Sequence, residues 1–112
     1  LVLEHFRDLA SVLGEASRAL APGGQLRILE IHSALVEKGT QAHFWHEGQE
    51  HRIDAYPHSA EEFRSVLGSA GLRIVSLEER PASERTLERM PKLAKHAGKA
   101  VLIDVLAEKA LA

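Results

Sequence analysis

Residues 1–32 decide the fold: Leu1-Val2-Leu3-Glu4-His5-Phe6-Arg7-Asp8, then LASVLGEASRAL over 9–20, then Ala21-Pro22-Gly23-Gly24, then QLRILEIH over 25–32. Leu9, Val12, Leu13, Ala16 and Leu20 recur at helical spacing, so residues 8–20 should form an amphipathic helix with Asp8 as its N-cap. Pro22-Gly23-Gly24 stops that helix and supplies a turn, because glycine accepts the positive φ such a stop requires. Leu26, Ile28, Leu29 and Ile31 then make a short apolar strand that ends at His32. Leu1-Val2-Leu3 reads as the end of an apolar strand already under way, so the chain looks cut from a longer polypeptide. Strand, helix, tight turn, strand is a βαβ unit. Two such strands in one sheet run parallel with a right-handed crossover. Ligands of open α/β sheets bind at the C-terminal strand ends, and Glu4, His5 and His32 stand there.

Outward from this unit, residues 33–58 are the least regular stretch, a loop and hairpin insertion. Gln41–His46 and Gln49–Asp54 flank Glu47-Gly48 as two strands flank a tight turn. Ser59-Ala60-Glu61-Glu62 is a capping box: the serine caps a helix and Glu62 reaches back. Phe63, Val66, Leu67 and Ala70 give that helix an apolar face, and Gly71 ends it. Leu72–Leu77 is a strand. Ser83 caps a helix carrying Leu87, Met90 and Leu93, which Pro91 kinks or interrupts. Ala100–Leu106 is the most apolar strand and should be central, buried on both faces.

Composition narrows the classes. At 112 residues the chain makes one domain at most, with 45% hydrophobic residues for a core and a formal charge of −2 that carries no signature of a polyanion binder. No nucleic-acid role is expected, the basic positions from Arg80 to Lys99 being interrupted by Glu84 and Glu88 as on a solvated face. There are no cysteines, which removes disulfides, thiolate zinc sites and cysteine nucleophiles together. No apolar run approaches the roughly 20 residues of a membrane span. The expectation is a soluble, cytoplasmic protein with no membrane partner.

The segment Leu1-Val2-Leu3-Glu4-His5, the helix closing Arg18-Ala19-Leu20-Ala21-Pro22-Gly23-Gly24 and the strand Gln25–His32 resemble the post-cofactor half of class I S-adenosylmethionine-dependent methyltransferases. The helix-glycine-strand run Glu61–Leu77 matches a later section of the same family. The resemblance implies a partial Rossmann-like α/β fold: a four-stranded mixed sheet, the family's strands 4-5-7-6, with flanking helices and a small hairpin. It also implies methyl transfer from S-adenosylmethionine to a small-molecule acceptor. The family's glycine-rich cofactor loop has no counterpart here: Gly23-Gly24 follows a helix and precedes a strand, the reverse of a nucleoside-cradling loop. The expectation is therefore that this chain alone binds no cofactor and is inactive. Strand 4 would lie at an open edge, which invites pairing. A homodimer through that edge, or a complementing N-terminal half, follows as the expected partner. The alternative is a non-enzymatic dimerising or partner-binding module derived from a methyltransferase.

By the same resemblance Leu3, Glu4 and His5 border the cofactor, and His5 and His32 are the catalytic candidates. A histidine there orients or deprotonates an acceptor; the blander reading of His5 is packing and a bond to a backbone carbonyl. Trp45, Tyr56 and His58 are candidate walls of an acceptor pocket, or else loop anchors and a dimer seal. His43, His46, His51 and His58 invite a metal reading. His43 and His46, three apart on a strand, point to opposite faces, so no metal site is expected.

Overall fold

The computed structural model describes residues 2–39 and 41–111. Asp8 accepts the Ser11 amide hydrogen at 3.1 Å and starts α1 (Leu9–Ala19). Then come β1 (Gln25–Ile31), α2 (Ser33–Glu37), the hairpin strands β2 (His43–His46) and β3 (Gln49–Arg52), and α3 (Ala60–Ser69). β4 (Leu72–Pro81), α4 (Glu84–Arg89) and β5 (Ala100–Lys109) complete the order. Short 3-10 helices span Leu3–His5 and Pro91–His96.

β5 is central: the main sheet runs β1-β5-β4, with β5 antiparallel to both neighbours. β1 and β4 are therefore parallel to one another, and the order reproduces 5-7-6 of the expected arrangement. The α/β class is as expected. The fourth strand is not seen among the described residues. Leu1 lies outside them, and Leu3–His5 is a 3-10 turn, so the opening βαβ unit is represented by turn, helix and strand. The physical reason is local. The amides of Val2 and Leu3 donate to the Glu30 carboxylate at 3.0 and 2.9 Å, which satisfies them as a cap does.

The core forms where the two amphipathic helices meet one face of the sheet. Leu9 and Leu13 of α1, Phe63 and Leu67 of α3, and Ile28, Leu72, Ile103, Val105 and Ala107 of the strands share one buried cluster. Alternation on β5 sends Ile103, Val105 and Ala107 into it. The opposite face of β5 carries Asp104, buried between Arg27 of β1 and Arg80 of β4. Arg27 grips it with two bonds, 3.3 and 3.1 Å, and Arg80 Nε donates at 3.0 Å. The hydrogen bond from Arg27 holds the Asp104 carboxyl below its ordinary 3.8 against the opposing effect of burial, and the charges of Arg27 and Arg80 add to it. A carboxylate so lowered stabilises the fold above its unfolded value, and the contribution is lost as pH falls through the lowered one.

The Pro22-Gly23-Gly24 turn needs both glycines. Gly23 sits at φ 79°, and a Cβ on Gly24 would stand 2.8 Å from the Ala21 carbonyl oxygen. The turn is pinned to the end of β5: Gly23 N donates to the Lys109 carbonyl and Lys109 N to that of Gly24, both at 2.9 Å. The Lys109 ammonium then donates to the Ser17 and Leu20 carbonyls at 2.7 and 2.8 Å, satisfying the open end of α1 with a cation.

Two further elements depart from expectation, while the hairpin turns where expected. Leu72–Leu77 extends to Pro81 through an irregularity between Ile74 and Ser76; proline is accepted because β4 is an edge. The stretch after His32 holds the short helix α2. The hairpin turns on Glu47 and Gly48, at φ 51° and 78°, a type I′ pair. It does not fold down on the core, since every residue of β2 and β3 is exposed.

Candidate functional site

β1 ends with Glu30 and Ile31 at the end of the sheet opposite the Pro-Gly-Gly turn. Glu30 lies on the core-facing parity with Leu26 and Ile28 and is buried. Its carboxylate gathers the Val2 and Leu3 amides and so fixes the Leu3–His5 turn against the strand end. Leu3 is itself buried in the core. The turn sets Glu4 and His5 beside that strand end, both partly sheltered. Residues 53–58 run back past it: Tyr56 N donates to the Glu4 carbonyl at 2.6 Å, and His5 Nδ1 lies 3.1 Å from the Asp54 carbonyl. A carbonyl only accepts, so Nδ1 carries the proton and Nε2 keeps its lone pair. Glu4 Oε1 lies 3.6 Å from that Nε2, with the two side chains 27% and 14% exposed. A half-sheltered imidazole with one nitrogen tied to a carbonyl turns the lone pair of the other toward a carboxylate, the arrangement of a proton acceptor.

His32 is placed differently. Its Nδ1 accepts the Ala34 amide at 3.1 Å and caps α2, so the ring proton is on Nε2, which donates to Glu79 at 2.7 Å. Both nitrogens are committed and no lone pair is left for a reacting proton. The backbone N–H of His32 also reaches the Val101 carbonyl at 2.9 Å.

His58 is 6% exposed. Nε2 lies 2.7 Å from the Phe6 carbonyl and Nδ1 contacts the Glu62 carboxylate, while the ring meets Phe63 edge-on at 6.2 Å. Tyr56 is partly buried, with the Arg7 guanidinium 5.3 Å above its ring centre. Glu4, Glu30, Tyr56, His58 and Phe63 line one small space of about 10 Å³. Trp45, 67% exposed, stands apart on the hairpin beside Phe44, whose ring stacks on His51 at 5.0 Å. The structure thus brings Leu3, Glu4, His5, Tyr56 and His58 together, sets His32 just past the end of β1, and leaves Trp45 outside. Among the described residues no group of three or more histidines and carboxylates is placed to hold a metal, and no helix is long and apolar enough to cross a membrane.

Three contributors escape a reading of the sequence. Glu30 interrupts an apolar alternation on the buried side of β1, and that break was its signal. Asp54 acts through its carbonyl, which no side-chain pattern reveals. Ser59 caps α3 as expected, accepting the Glu62 amide at 3.1 Å, but the Glu62 carboxylate goes to His58 instead of closing the box.

Residues 1–77 match the model of a family described as a methyltransferase domain. No curated protein matches the chain. Among solved structures, an S-adenosylmethionine-dependent methyltransferase from Mesorhizobium loti is similar over 97% of this chain, at 19% identity and TM-score 0.69. A putative S-adenosylmethionine-dependent methyltransferase from Listeria monocytogenes is similar over the same share, at 14% identity and TM-score 0.72. The chain spans 58% of the length of each.

Proposed function

The chain belongs to the methyltransferase domain family, and from that premise we propose that it forms the acceptor-side part of an S-adenosylmethionine-dependent methyltransferase, with His5 taking the proton of a small protic acceptor. The observation that carries this is the His5 ring: Nδ1 held by the Asp54 carbonyl at 3.1 Å, Nε2 open beside Glu4 at 3.6 Å. Methyl transfer is a displacement in which alignment does most of the work, and an O–H or N–H nucleophile needs a base to remove its proton. His5 supplies the base and Glu4 steadies the imidazolium. His32 holds α2, and Tyr56 forms the wall facing Glu4.

The residues present do not fit the whole cofactor. The space at Glu4 is about 10 Å³, room for roughly one water and far below the roughly 300–1,000 Å³ of small-molecule sites. The glycine turn of this chain lies at the other end of β1, knitted to Lys109. Cofactor binding then falls to residues outside this chain, supplied by a complementing segment or partner, and the chain alone is inactive. A second reading, a non-enzymatic module that binds a partner or a second copy, is favoured by the hairpin, which holds Phe44 and Trp45 in solvent at 51% and 67% exposure.

The tautomer of His5 tests the first reading directly. Nitrogen-15 correlation spectra of the imidazole should show the neutral ring protonated at Nδ1. A ring protonated at Nε2 has no lone pair where the acceptor would meet it and removes the proposed base.

A further inference from the structure

His58 raises a question of donor accounting. A neutral imidazole has one N–H, yet both nitrogens of this buried ring face acceptors: the Phe6 carbonyl at 2.7 Å and the Glu62 carboxylate. A carbonyl cannot donate, and an ionised carboxylate cannot either. One additional proton must therefore reside on the pair. A free glutamic acid, at roughly 4.3, is a stronger acid than imidazolium, at about 6.5, so the proton belongs on the ring.

We propose that His58 is a doubly donating imidazolium that latches the segment after His5 to the first turn of α3. Phe6 follows His5 directly, and Glu62 is in the first turn of α3, so one side chain ties together two segments 52 and 4 residues away from it. The titratable groups around the ring are consistent with a cation. Glu62 of α3, Glu4 of the 3-10 turn and Glu30 of β1 are carboxylates, and Tyr56 is the remaining titratable group lining the same space. Arg7 is directed over the Tyr56 ring. Removing the second proton leaves a single N–H for two acceptors, so either the Phe6 carbonyl or the Glu62 carboxylate loses its bond. The latch stands whether or not His5 is the base, because neither of its bonds involves His5.

The test is long-range proton–nitrogen correlation on the labelled full chain near neutral pH, with Glu62→Gln as the comparison. Glu62 is 39% exposed in its side chain, so this variant leaves the core untouched. The expected result is a His58 ring with both nitrogens protonated in the native chain. Glu62→Gln should remove one of those protons, and the Arg7 amide, which shares the peptide unit of the Phe6 carbonyl, should shift. A native ring carrying one proton overturns the proposal, as does a Glu62→Gln ring that still carries two.

Discussion

Replacing His5 with asparagine should slow methyl transfer to an acceptor bearing O–H or N–H by about 10²–10⁴-fold once the cofactor-binding part of the domain is supplied. The amide of asparagine can still donate toward the Asp54 carbonyl that holds His5 Nδ1 at 3.1 Å, so the turn and its neighbours stay in place. What disappears is the basic lone pair at Nε2. The loss should fall on kcat with KM little changed, since the interaction is made as the proton moves. An acceptor that arrives already deprotonated should be spared. The measurement is kcat and KM for a matched pair of acceptors, one protic and one anionic. Equal losses for both would assign His5 to positioning, and no loss for the protic acceptor would remove it from the chemistry.

Replacing Phe63 with alanine should destabilise the chain by about 3–5 kcal/mol, a large part of the roughly 5–15 kcal/mol that holds a domain of this kind together. Phe63 is fully buried and lies where α3 meets the sheet, in one cluster with Leu13, Ile103 and Val105. Its ring also meets His58 edge-on, so the cavity would open beside the latch as well as within the core. Urea unfolding followed by circular dichroism reads the change as a lower midpoint at an unchanged slope. A cost under about 1 kcal/mol would mean that the site collapses around the smaller side chain and that α3 is not the keystone of this core.

Much of the framework can be read from apolar period alone. α1, α3 and β5 declare themselves because burial on one helix face, or on both faces of a central strand, leaves a strong periodic record. The Pro-Gly-Gly turn is equally legible, since Gly23 needs a positive φ and Gly24 has no room for a Cβ. The strand written in Leu1–Leu3 was less secure for a physical reason. An apolar triplet has no period of its own, and the Glu30 carboxylate offers its amides a different partner. α2 was missed because its N-cap is His32, a rare choice beside serine or aspartate.

The site was legible as a neighbourhood and not as a set of roles. His5 and His32 look alike in sequence, each ending an apolar run. They differ in which nitrogen meets a backbone group: a carbonyl at Asp54 for one, an amide at Ala34 for the other. That distinction belongs to tertiary geometry. His58 likewise reads as a loop histidine until the Phe6 carbonyl arrives from 52 residues away.

The most direct test of the account is an equilibrium titration of this chain with S-adenosylmethionine, alone and again after fusing a cofactor-binding segment to it. No saturable binding to the chain alone, with binding recovered in the extended protein, is the predicted result. Micromolar binding by the 112 residues themselves would contradict the account, because a cofactor site would then exist among residues assigned here to the acceptor side.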